Sequence, residues 1–181
     1  MTTPESAPST TPENKFSGAE VAAILRERKW QITELSADQF AWCERAAALL
    51  GPQSADRAAL ESLLALIFHH DAQEILARVE THVAMSRYAA REALRELATQ
   101  LLDPGPLTPD RFNEIIDAMK ARLDIRGREL FQTLRLSLAG RLGEGDLDRV
   151  ILLLDQAAAV NFFSPVKSAR TRIIEFCAAL D

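Results

Sequence analysis

Three groups of residues in this 181-residue chain carry side chains that could do chemistry: clustered histidines, two cysteines and a run of arginines. His69, His70 and Asp71 are consecutive, Glu74 follows His70 by four positions and His82 follows it by twelve. A zincin-type site needs H-E-x-x-H, which sets two imidazoles one helical turn apart with a carboxylate between them. The spacing here differs, so no metal site is expected. His69 and His70 instead close an apolar helix, where an imidazolium can meet orphan carbonyls and the negative end of the helix dipole. Cys43 falls on an apolar stripe, and Cys177 lies among Ile173, Ile174 and Leu180. With no basic neighbour to favour a thiolate, both read as small core hydrophobes. The chain has no G-x-S-x-G, no Walker loop and no G-x-G-x-x-G after a strand. Gly143-Glu144-Gly145-Asp146 is an acidic turn unsuited to cradling phosphate, and Asp146 and Asp148 are residues a helix favours in its first turn. Catalytic and cofactor motifs are both missing, so the expectation is a protein that is not an enzyme.

The arginines are more informative. Residues 120–141 hold Lys120, Arg122, Arg126, Arg128, Arg135 and Arg141 against Asp124 and Glu129, a local charge of +4 in a chain whose total is −5. The remainder therefore carries −9. Arg128 and Arg135 are seven positions apart with Gln132 between them, on one helical face, while Leu130, Phe131, Leu134 and Leu138 take the other side. Such a face suits phosphate, which guanidinium forks grip in pairs of hydrogen bonds. It is also what an ordinary solvated helix presents, with Glu129 and Asp124 as local partners. A second basic cluster, Lys167, Arg170 and Arg172, follows Asn161-Phe162-Phe163. Exposed aromatics beside arginines can stack bases, but Phe162 and Phe163 are expected to fill the core at a helix–helix corner.

The elements that must position these residues are punctuated as helices. Met1 to Ser17, with three prolines and many Ser and Thr, is too poor in apolar side chains to order itself and reads as a tail. Ser17-Gly18-Ala19-Glu20 and Ser36-Ala37-Asp38-Gln39 have capping-box spacing. The first opens a helix to about Lys29. The second opens one ending near Gly51-Pro52, with Gly51 in a left-handed cap. Ser54 is expected to cap a helix whose Leu60, Leu63, Leu64, Ile67 and Phe68 share a buried face. Another starts near Asp71, with Ile75, Leu76, Val79 and Val83 inward, continuing or kinking into 85–102. Asp103-Pro104-Gly105-Pro106 is the strongest break, dividing a helical subdomain 18–102 from another, 103–181. Thr108-Pro109 then caps a helix with Phe112, Ile115, Ile116, Met119 and Leu123 on one stripe. Helices over 128–139, 146–156 and 164–180 complete a chain without period-2 alternation. The fold class is all-α. The 48% hydrophobic content, the two distant cysteines and the lack of a signal peptide or membrane-length apolar run point to a globular cytoplasmic protein. A net charge of −5 argues against indiscriminate binding to nucleic acid, DNA included.

Three blocks carry a resemblance. They are Leu107-Thr108-Pro109-Asp110-Arg111-Phe112, then the run from Arg126-Gly127-Arg128 through Leu130-Phe131, Leu134-Arg135 and Leu138-Ala139-Gly140, then Leu152-Leu153-Leu154. In order, spacing and character this stretch resembles the C-terminal region of bacterial glutamyl-tRNA synthetases. There a W/L-T-x-E/D helix start is followed by K-G-K-L-F-x-P-L-R-x-A-L-T-G and a leucine-rich helix. The segment Leu35-Ser36-Ala37-Asp38-Gln39 through Leu49-Leu50 is more loosely similar to the family's preceding helix. The resemblance implies a two-part helical bundle, the α-helical cage that holds a tRNA anticodon stem and loop. It places Arg135 at the family's arginine in P-L-R-x-A-L-T-G and Arg128 at its basic residue beside the glycine. Thr133 stands where the family has proline and Ala139 where it has threonine. After Leu154 the family's L-G-K-E-R gives way to Asp155-Gln156-Ala157, displacing basic residues to Lys167, Arg170 and Arg172. The H-I-G-H-like and K-M-S-K-S-like motifs of the catalytic half are absent, so this chain is not expected to charge tRNA.

Two functions follow as expectations. One is a free-standing relative of the anticodon-binding domain that contacts tRNA, alone or beside a synthetase, through Lys120, Arg122, Arg126, Arg128, Arg135 and Arg141. The other is a helical protein–protein adaptor that has lost RNA binding, in keeping with the −9 outside the basic window.

Overall fold

The computed structural model describes residues 13–87, 89–125 and 127–181; most of the sequence tail and Arg126 lie outside the described residues. The described residues form ten α-helices, one 3-10 turn and no strand. The helices are α1 (Gly18–Glu27), α2 (Ala37–Leu50), α3 (Arg57–Phe68), α4 (Ala72–Leu76), α5 (Val79–Met85), α6 (Ala90–Leu102), α7 (Pro109–Arg122), α8 (Gly127–Ala139), α9 (Asp146–Ala159) and α10 (Ala169–Leu180). The chain is an all-α bundle.

Local chemistry sets most helix starts. Ser17 and Ser36 each form a full capping box, with Glu20 and Gln39 returning a bond to the cap N–H. Thr108 caps α7 with Pro109 in its first turn. The structure corrects three other expectations. The last helix opens at Ala169, with the Ser168 hydroxyl accepting the Thr171 N–H, and not at 164. Asp56, not Ser54, caps α3, accepting the Ala59 N–H at 2.8 Å. The Ser54 hydroxyl donates back to the Leu50 carbonyl at 2.8 Å. Gly51 is right-handed (φ −55°), because Pro52 continues the chain into the 3-10 turn Gly51–Gln53. A left-handed glycine closes α8 instead: the N–H of Gly140 (φ +85°) donates to the carbonyls of Arg135 and Leu136.

The segment after Asp71 is two short helices. Thr81 donates to the Ile75 carbonyl at 2.6 Å and Arg78 reaches the Gly140 carbonyl at 2.8 Å, both holding the break at Ala77–Arg78. The break shifts the helical register, so Ile75 is buried as expected but Val79 and Val83 are 76% and 55% exposed.

Helices from both sides of the Asp103–Pro106 break are in contact. α2 and α3 lie against α9, while α10 packs on α4 and α6. One cluster of buried side chains runs from Val21 to Phe176. Asp155 bolts the parts together, accepting the Leu107 N–H at 2.7 Å and the Ala169 N–H, at the start of α10, at 2.8 Å. Trp42 is fully buried and donates to the Leu153 carbonyl at 3.1 Å, with Phe68 and Phe162 edge-on to its ring. Of the two phenylalanines expected in the core, Phe162 is buried and Phe163 is 59% exposed. The corner that separates them is fixed by Gln39, which donates to the Val160 and Asn161 carbonyls, and by Gln31, which accepts the Phe163 N–H.

Candidate functional site

Lys120, Arg122 and Arg128 of the 120–141 window stand at the junction of α7 and α8, Arg135 and Arg141 at the α8–α9 turn, and neighbouring elements sort them into free and committed groups. Arg128 is exposed in the first turn of α8, with no partner among the described residues. A cation there faces the positive end of the helix dipole, so it weakens α8 slightly rather than supporting it. Lys120 is exposed in the last turn of α7, its ammonium 5.7 Å from the centre of the Phe131 ring. Arg122, beside it, leans to Glu96 of α6 at 3.0 Å yet stays 62% exposed. Arg141 pairs loosely with Asp146 at 3.5 Å. Arg126 lies outside the described residues.

Arg135 is committed. Its side chain is 12% exposed and forks onto Asp148 through Nε at 2.7 Å and Nη2 at 2.8 Å. Its Nη1 donates to the Gly143 carbonyl at 2.9 Å, and its carbon lies 5.0 Å from the same Phe131 ring. The Asp148 hydrogen bond raises its pKa further above the usual guanidinium value. This arginine fastens the α8–α9 turn, with its donors turned inward. Asp146 and Asp148, expected as first-turn acids of α9, also serve as counterions to Arg141 and Arg135. Three of the window's cations are thus matched by carboxylates that lie outside the window.

The second basic cluster does not form a surface. Lys167 is spent on Glu175 at 2.6 Å and on the His70 carbonyl at 3.0 Å. Arg172 is fully buried and donates to the carbonyls of Leu66 (2.9 Å), Ile67 (2.5 Å), Leu138 (2.8 Å) and Lys167 (3.1 Å). Burial pulls its pKa down to about 9, which leaves it cationic at neutral pH. Only Arg170 of the three is exposed and unpartnered among the described residues.

The histidines take structural places different from those the sequence suggested. The last carbonyls of α3 go to Arg172, while His70 bonds the Ser137 carbonyl through Nε2 at 2.9 Å. Burial, reinforced by the Arg172 charge, lowers the His70 pKa to about 4, so the ring is neutral and donates that proton. His69 stays outside, 2.9 Å from Glu74. Burial pushes the Cys43 thiol up to about 12 and raises that of Cys177, which leaves both protonated.

Two features had no signal in the sequence. Arg111, within the quoted Leu107–Phe112 block, uses its guanidinium on the carbonyls of Gln100, Asp103 and Gly105, closing the end of α6. Arg87, in the turn before α6, donates to the Gln132 side-chain oxygen of α8 at 3.0 Å, across 45 positions of sequence. No periodicity or motif could pair those residues.

The arrangement defines an all-helical protein with a small basic face at the α7–α8 junction and no described helix long and apolar enough to cross a membrane. The chain is similar to the glutamate–tRNA ligase of Bacillus subtilis (strain 168), at 26% identity over 128 residues. The match covers 71% of this chain and 26% of that enzyme, so the chain spans about a quarter of its curated relative. No protein-family model and no solved structure matches the chain.

Proposed function

We propose that this chain is a non-catalytic tRNA-binding module of the cytoplasm, related to the anticodon-binding cage of glutamyl-tRNA synthetases. The observation that carries the reading is its similarity to a glutamate–tRNA ligase across 71% of its length. Lys120 and Arg128 are the leading phosphate contacts, because both are exposed and Arg128 sits where it does not help its own helix. Arg122 and Arg141 contribute if RNA draws them from Glu96 and Asp146. Arg135 acts as a positioning residue that holds the α8–α9 turn. Titration of unfractionated tRNA at low salt tests this reading. Binding should weaken steeply as salt rises. Arg128→Ala should lower the salt slope by about 1 while leaving the melting temperature unchanged or slightly raised. Wild-type protein that binds no tRNA at high micromolar concentration would overturn it.

A second reading, the protein–protein adaptor, draws on two observations. The cations at 122, 135 and 141 are already paired, and Val79 and Val83 stand exposed one turn apart on α5. A synthetase or another protein is the partner type it implies. Capture from cell extract with and without ribonuclease separates the two, since only RNA-bridged partners are lost on digestion.

A further inference from the structure

Arg87 and Gln132 come from different parts of the chain and meet beside the free Arg128. The turn between α5 and α6 carries the exposed Arg87 to α8, where its Nη1 donates to Gln132 Oε1 at 3.0 Å. That bond decides which way the glutamine amide faces. Its oxygen is taken, and no acceptor among the described residues receives the Nε2 hydrogens. Gln132 and Arg128 are four positions apart on α8, so their side chains share one helix face. Along this edge the three side chains offer guanidinium, amide N–H and guanidinium, all donors. Phe131, the residue before Gln132, is half-buried, with the cations of Lys120 and Arg135 over its ring. One carboxylate residue, Glu129, lines the same small cleft as Arg87 and Gln132.

We propose that Arg87 and Gln132 form a coupled donor pair that binds an acceptor edge of single-stranded RNA, with Arg87 also fixing the amide orientation. The matching chemistry is a group with only acceptors on the approached side, either a backbone phosphate or the O6/N7 edge of an unpaired guanine. The inference rests on the tRNA-binding reading and extends its surface from the α7–α8 junction to the turn before α6.

Two variants test it. Arg87→Ala removes one donor and frees the amide to rotate. Gln132→Glu keeps a partner for Arg87, now as an ion pair, but removes the N–H donors. Both should melt like the wild type, because neither side chain is buried. Each should weaken binding of unfractionated tRNA roughly tenfold. Short oligouridines with and without a single guanine identify the source of the acceptor. A loss confined to the guanine-containing oligomer assigns a base edge, and an equal loss on both assigns phosphate. Wild-type protein that binds tRNA while both variants bind it equally well overturns this inference alone. Wild-type protein that binds no RNA overturns the functional reading, and this inference with it.

Discussion

Arg172 directs its guanidinium at four main-chain carbonyls and forms no ion pair among the described residues. It is a C-terminal cap shared by two helices. The carbonyls of Leu66 and Ile67 at the end of α3, and of Leu138 at the end of α8, have no further helical turn to bond them. A planar fork with five N–H groups satisfies them from one buried point, which an ammonium on a flexible stem could not match. Arg172→Met should therefore cost about 3 kcal/mol or more in urea unfolding, through orphaned carbonyls rather than lost charge pairing. Arg172→Lys should recover little of it. His70 supplies a second test at this scale. In the fold it titrates at about 4, against 6.5 for an ordinary histidine, so as pH falls the unfolded chain takes up the proton first. The stability contributed by the neutral ring is complete above about pH 6.5 and is lost between there and about pH 4, up to about 3 kcal/mol. His70→Gln keeps an N–H for the Ser137 carbonyl and does not titrate. Stability measured across this range should fall less steeply in that variant than in the wild type.

At the scale of elements, starts are local and ends are shared. The capping boxes of Ser17 and Ser36 are complete within four residues of sequence, which is why both were legible there. The α3 cap lies two positions beyond the one the spacing suggests, because Ser54 and Asp56, on either side of Ala55, both offer a side-chain oxygen that can cap a helix. Only the backbone path out of Pro52 decides which oxygen faces the helix. Asp56→Ala should then cost about 1 kcal/mol in thermal unfolding, as loss of an N-cap does. Ser54→Ala gives up a hydroxyl bond to the Leu50 carbonyl instead, so its loss should persist in the Asp56→Ala background and the two should add. Helix ends follow another rule. α3, α6 and α8 finish on arginines drawn from α7 and α10, with Arg78 on the Gly140 carbonyl beyond α8. The division of 71–85 into α4 and α5 belongs to the same class, since Arg78 and Thr81 hold the break.

For the whole molecule, the single core from Val21 to Phe176 makes the segments on either side of Asp103–Pro106 depend on each other. Asp155 ties the loop after that break to α10, and α10 packs on α4 and α6 from before it. Thermal unfolding followed by helical signal and by the fluorescence of Trp30 and Trp42 together should show one coincident transition. Two separated transitions would mean that the packing of α9 and α10 against the earlier helices contributes little. Charge must also be read at this scale. The +4 of residues 120–141 exists along the chain, but Glu96, Asp146 and Asp148 fold against it, leaving Lys120 and Arg128 as its free described members.

The sequence by itself determined most of the helices and their starts, most of the apolar faces and the positions of the cations. All of these rest on interactions spanning a few residues, for which spacing is enough. Tertiary structure decided which cations remain free. Arg172 meets Leu66 across 106 positions and Arg87 meets Gln132 across 45, and no local pattern carries such pairings. A buried carbonyl or carboxylate must be satisfied wherever the fold leaves it, so arginines that look alike in sequence divide into internal fasteners and a small exposed set.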